Sequence, residues 1–166
     1  MRQNIRDSVL EVFYEYPNKS FTIREIAKIT GVPRATVHKE LINLKRNRLL
    51  SKENKAESNL AFRTKKINYF IEKIANSGLI GELIDKLNPS CIILFGSIRK
   101  GDSVKESDID LFIESSIKKH ISLTKFEKKL KHKIQLFIES NISELNDELF
   151  TNVVNGIKLF GSFKIR

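Results

Sequence analysis

Two aspartates one residue apart, Asp108 and Asp110, open the apolar run "DIDLFIE". In a strand, residues i and i+2 point the same way, so both carboxylates share a face. Like charges placed side by side repel unless a cation lies between them. A divalent ion held by oxygen ligands is the simple remedy, and Mg²⁺ is the usual one where phosphates complete its shell. Upstream, the run "CIILF" ends in Gly96-Ser97, with Arg99, Lys100 and Gly101 close behind. A strand turning into a short helix exposes backbone N–H donors at the turn. Glycine permits close approach of phosphate oxygens, the Ser97 hydroxyl supplies a donor, and Arg99 and Lys100 add positive charge. A strand, a phosphate loop and a neighbouring strand with two metal ligands together describe a seat for a metal-bound nucleoside triphosphate.

The elements around these residues alternate in type. "GLIGELIDKL" reads as a short helix ended by Asn88-Pro89, followed by strand "CIILF" and strand "DIDLFIE". Helix "LTKFEKKLK", strand "KIQLFIES", helix "SELNDELFTNVVNG" and a last strand near "IKLFG" complete the pattern. Before them, "KKINYFIEKIANSG" places Ile67, Phe70, Ile71 and Ile74 on one face of a connecting helix. The expected division is residues 1–66, a connecting helix over 67–78, and an α/β domain over 79–166, with the fold class α+β and a mixed sheet.

The first segment carries the charge. Of a net +10, the chain up to Lys66 holds 15 Lys/Arg against 7 Asp/Glu, or +8. A polyanion partner is therefore expected there. Ile5, Val9, Val12, Phe13 and Tyr16 follow helical spacing; Thr22-x-x-Glu25 forms a capping box opening "IREIAKIT"; Gly31 suits the position past its end; and Pro33 begins a third helix with Val37, Leu41 and Leu44 inward. "RLLSKEN" and "NLAFRTK" read as two strands of a β-hairpin. With that inward stripe, Thr36, Lys39, Asn43 and Arg46 project outward, Arg34 stands at the helix start, and Lys52, Lys55 and Arg63 decorate the hairpin. His38 reads as a surface histidine. His120 and His132 sit among lysines without a Cys or carboxylate at ligand spacing, so no zinc is expected.

The single cysteine, Cys91, excludes an internal disulfide and reads as a small core residue, which suits a reducing, cytoplasmic setting. The polar "MRQNIRDSVLEVFYEY" is not a signal peptide, and no apolar run approaches the ~20 residues a bilayer span needs.

"FTIREIAKITGVPRATVHKELINLKRNRLL" resembles the winged helix–turn–helix (three helices plus a β-hairpin) of prokaryotic transcription regulators. That resemblance implies double-stranded DNA as ligand, read by a helix in the major groove, often with a homodimer. "LFGSIRKGDSVKESDIDLFIE" resembles the motif of the DNA polymerase β-like nucleotidyltransferases, especially their small prokaryotic members: Gly-Ser, a spacer with a further glycine, then Ser-Asp-x-Asp. The resemblance runs from Leu79 to the end. It implies a fold that binds Mg-NTP, with one or two Mg²⁺ ions, and transfers a nucleoside monophosphate to a hydroxyl, releasing pyrophosphate. Ser97 would meet the outer phosphates, and Asp108 and Asp110 would hold the metal and serve the chemistry. Small nucleotidyltransferases that act as antitoxins have a separate helical protein partner, so the resemblance implies that partner class too.

Active members present a third carboxylate from a later strand, which completes the metal site and takes the proton from the attacking hydroxyl. The matching strand here, "HKIQLFIES", carries Gln135 at that position, and an amide is no general base near neutral pH. Glu139 faces the same way but about 13 Å further along. Two readings follow: a Mg²⁺-dependent nucleotidyltransferase on a DNA-binding module, or a degenerate one that senses a nucleotide or mediates assembly. The tract "KKHISLTKFEKKLKHK" adds basic charge, with Phe126 and Leu130 expected inside an otherwise solvated helix.

Overall fold

A computed structural model describes residues 2–164 of the chain. The chain forms two compact units. Met1–Lys66 together with Ser103–Lys105 make the first; Ile67–Asp102 and Glu106–Arg166 make the second.

The first unit is built on three helices, α1 (Arg2–Glu15), α2 (Ile23–Thr30) and α3 (Arg34–Arg46). α2 starts on the capping box: the Glu25 N–H donates to Thr22 Oγ1 at 3.2 Å, and the Thr22 N–H donates to Glu25 Oε2 at 2.8 Å. It ends at Gly31, whose φ of 70° lets its N–H reach the Ala27 carbonyl. The apolar stripes meet in a core of Val9, Val12, Phe13, Phe21, Ile26, Val37, Leu41 and Leu44, with the Phe13 and Phe21 rings edge to face at 5.7 Å.

The expected hairpin is corrected. Only Leu50 and Ala56 pair, around a turn closed by the Ser51 N–H to the Lys55 carbonyl at 2.8 Å. "NLAFRTK" is not a strand: Asn59 accepts from the Phe62 N–H at 2.9 Å and caps α4 (Leu60–Ser77), which absorbs the stretch. Its strand-like alternation buries nothing at Leu60, which is 79% exposed, whereas Phe62 and Lys66, one helical turn apart, are both buried. Arg63 therefore lies exposed on a helix and not on a wing strand. The Lys66 ammonium donates to the Ser103 carbonyl, and Lys105 pairs with Glu15 at 3.3 Å, so these three loop residues belong to the first unit.

The second unit is a four-stranded mixed sheet in the order β3-β2-β1-β4, from β1 (Cys91–Phe95), β2 (Ile109–Glu114), β3 (Ile134–Glu139) and β4 (Ile157–Gly161). β1 runs antiparallel to both β2 and β4, while β2 and β3 are parallel. A parallel pair needs a crossover, and α7 (Thr124–Leu130) lies in that connection. One sheet face buries Ile92, Leu94, Ile109, Leu111 and Ile113 against Phe70, Ile74, Phe126, Leu130 and the stripe of α5 (Leu79–Leu87). The other buries Cys91, Ile93, Phe95 and Phe112 against Ile142 and Val153, the latter on α8 (Asp147–Val154). Cys91 is a core residue as expected, and burial with the nearby Glu114 pushes its thiol up to about 11. Among the described residues no helix is long and apolar enough to cross a membrane.

Candidate functional site

The β1–β2 ladder sets Asp110 opposite Phe95, the last residue of its strand. The next residue, Gly96, begins α6 (Gly96–Lys100) with φ +73°. A Cβ on Gly96 would lie 2.0 Å from Asp110 Oδ2 and 2.9 Å from its Cγ. The missing side chain thus opens the space that the Asp110 carboxylate fills, and the acid abuts the loop expected to hold phosphate. Ser97 and Arg99 on the first turns of α6 are half-buried, and Lys100 is exposed. Gly101 closes the helix in the left-handed conformation, and the Asp102 N–H donates to the Ser97 carbonyl at 3.0 Å.

Asp108 lies exposed just ahead of β2, and Asp110 is half-buried. Burial holds the Asp110 carboxyl above the usual carboxylate range, and the neighbouring Asp108 charge adds to it. His132 braces the approach to them: it is buried, its Nδ1 lies 2.7 Å from the Ser107 carbonyl, and its ring packs on Phe70 at 5.3 Å. Sequence reasoning weighed His132 only as a metal ligand; its lever is the backbone that carries Asp108.

The parallel ladder pairs Asp110 with Gln135, so the amide stands beside the carboxylate on the same sheet face. Gln135 is exposed on the edge strand. Glu139 pairs in register with Glu114, four residues further along, and binds Lys118 at 2.6 Å. Next to the site, the rings of Phe95 and Phe137 meet at 5.3 Å and 61°. Among the described residues no group of three or more His, Cys, Asp or Glu comes together. The hard carboxylate oxygens of Asp108 and Asp110 are the donor type that a divalent cation takes when its other ligands come from phosphate and water.

On the first unit, the exposed positions of α3 are Arg34, Ala35, His38, Lys39, Ile42 and Arg46. Thr36 and Asn43, expected outward, are half-buried at the margin. The buried stripe Val37–Leu41–Leu44 alone would centre the outer face near Lys39 and Arg46; tertiary packing rolls the exposed arc by roughly 50° toward His38 and Ile42. Lys52 and Lys55 are exposed on the short turn. The signal that could have found Ala35 and Ile42 is absent from a charge count, because neither carries charge.

Two protein-family models match the chain. The family model described as "Polymerase beta, Nucleotidyltransferase" matches residues 78–162, which hold the whole sheet and both aspartates. The model described as "IclR helix-turn-helix domain" matches residues 8–53, the three-helix unit up to its turn. No curated protein and no solved structure matches the chain. With more than half of its length in that first match, and with Gly96, Ser97, Asp108 and Asp110 set around one strand end, the chain belongs to the polymerase beta nucleotidyltransferase family, carried behind an IclR-type helix–turn–helix.

Proposed function

We propose that the first unit binds double-stranded DNA and the second binds a Mg²⁺-nucleoside triphosphate, poised for transfer of a nucleoside monophosphate to a hydroxyl. The observation that carries the nucleotide reading is the approach of Asp110 to Gly96: a carboxylate is held against a strand-to-helix turn, where only a glycine leaves it room. Asp108 and Asp110 would hold the ion, which when bound offsets the charge of the phosphates and polarises them. Ser97 and the Gly96–Ser97 backbone would receive the outer phosphate oxygens, with Arg99 and Lys100 supplying positive charge. In the transfer, the acceptor hydroxyl oxygen bonds to the α-phosphorus, the bond from that phosphorus to the bridging oxygen breaks, and pyrophosphate leaves. The hydroxyl proton must go to a base.

That last requirement favours a second reading. Gln135 occupies the position beside Asp110, and an amide takes no proton near neutral pH. Under this reading the unit holds Mg-NTP without efficient turnover, and the nucleotide serves as a signal to a DNA-binding regulator or an assembly partner.

Calorimetry with each NTP, with and without Mg²⁺, tests the binding proposal; Asp108→Asn with Asp110→Asn abolishes Mg²⁺-dependent binding. Unchanged affinity in that double variant would reject it. Transfer from α-³²P-labelled NTP separates the two readings. Gln135→Asp raises label transfer if the missing acid alone limits the reaction, and leaves it at background if the unit is built only to bind.

A further inference from the structure

The exposed arc of α3 is not uniformly polar. At about 100° per residue, Ile42 falls at the centre of the arc formed by Arg34, Ala35, His38, Lys39, Ile42 and Arg46. It is 38% exposed, although its neighbours Leu41 and Leu44 are buried in the core. A branched aliphatic side chain in the middle of a basic, water-facing surface still leaves part of its apolar surface in water, which folding alone does not recover. Ala35, a small apolar residue, lies on the same line of the helix about two turns, or roughly 10 Å, toward its start. Positive charge surrounds this apolar centre: Arg34 on one side and Lys39 and Arg46 on the other, with no acidic residue in the first turn of the helix.

Charge of this sign suits a phosphate-bearing partner, and an apolar centre suits something methylated between the phosphates. In duplex DNA the major groove supplies that combination through the C5-methyl of thymine, the one apolar group on its base edges. We infer that Ile42, with Ala35 two turns before it on the same helix line, is a specificity-determining contact that reads thymine methyl groups in the major groove, while Arg34, Lys39 and Arg46 hold the flanking backbone or guanine edges. The inference rests on the reading of this unit as a duplex-DNA binder and names what it selects.

The test uses the full chain. Sites are first selected from a random duplex library, and affinity for the selected duplex is measured at fixed salt. Each thymine of the site is then replaced in turn by deoxyuridine, which removes only the methyl group. Deoxyuridine at one or two positions weakens binding by roughly three- to fivefold each, the worth of one buried methyl. Ile42→Ser loses the distinction and binds both duplexes at the weaker level, while Ile42→Val keeps it. Matching circular dichroism melts establish that both variants fold. Ile42→Ser leaves the salt dependence of affinity unchanged, since no phosphate contact is lost. Equal affinity for thymine and deoxyuridine at every position, in a protein that does select duplex sites, overturns this inference alone. Failure to select or bind any duplex overturns both it and the DNA reading beneath it.

Discussion

Replacing Gly96 by alanine tests the geometry that joins the phosphate loop to Asp110. Two costs follow. Gly96 has φ +73°, and an alanine held in the left-handed region is strained by about 1 kcal/mol. Its Cβ would also stand 2.0 Å from Asp110 Oδ2, where ordinary contact begins at 3.4 Å. Asp110 is fixed by two ladders, so its side chain must leave its rotamer or drag β2 with it, at roughly 1–3 kcal/mol more. Gly78 supplies the calibration within the same unit: φ is +87° and nothing lies within 4 Å of a Cβ there. Gly78→Ala should therefore cost about 1 kcal/mol and Gly96→Ala about 2–4 kcal/mol. In an Asp110→Ala background the Oδ2 and Cγ contacts vanish and only Cβ remains, at 3.3 Å. Gly96→Ala should then fall back to about 1 kcal/mol, a coupling of about 1–3 kcal/mol between neighbours. Urea unfolding followed through backbone amide resonances of β1 and β2 reads the second unit by itself. Additive effects, or a Gly96→Ala no costlier than Gly78→Ala, would mean that the carboxylate does not lean on the glycine.

Further outcomes follow from the first unit. Lys39→Ala and Arg46→Ala, both on the exposed arc of α3, should each weaken duplex binding and reduce the log–log salt slope by about one, measured by fluorescence anisotropy between 50 and 200 mM salt as rough limits; an unchanged slope in both would place the DNA elsewhere. Burial, with Asp7 adding to it, pushes the Tyr14 phenol from 10.0 up to about 12. Because folding raises this group's pKa, its contribution is complete below pH 10 and is lost as the pH climbs through about 12. Phenolate absorbance should show an ionisation near about 12, and Tyr14→Phe should remove it; a titration without that late phase would contradict the buried environment.

How far the sequence reaches depends on how local each signal is. The capping box at Thr22 and Glu25 and the left-handed stop at Gly31 involve residues within one helical turn, and they form as their types require. The strands around Gly96–Ser97 and Asp108–Asp110 are equally legible, because apolar runs bounded by polar loops have few alternatives. The wing was misread because "NLAFRTK" satisfies two periods at once. Leu60 and Phe62 alternate as a strand would, but Phe62, Lys66 and Phe70 repeat as a helix does, and burial of the latter set decides. The roll of α3 that exposes Ile42 and half-buries Thr36 and Asn43 is fixed by what packs on its flank, which no pattern within thirteen residues contains. The lean of Asp110 on Gly96 depends likewise on the Phe95–Asp110 register, a relation between strands.

The register also gives the Gln135 question a physical form. Neighbouring strands lie about 4.8 Å apart, so an acid at position 135 would have stood within direct repulsion of Asp110, itself already raised by burial and by Asp108. With the amide there, the cluster carries two negative charges instead of three. In the proposed Mg-NTP site, two charges would suffice for one cation whose remaining ligands are phosphate oxygens and would hold a second far less firmly. The nearest acid of β3 on the same face, Glu139, is about 13 Å along the strand and occupied by Lys118. Under the proposed function, binding and proton removal, which three neighbouring carboxylates would combine, are separable in this chain: Asp108 and Asp110 would serve the first, and Gln135 on β3 supplies no base for the second. If transfer is nonetheless measured in the wild-type protein, the base must come from outside β3, with the acceptor molecule itself as the first place to look.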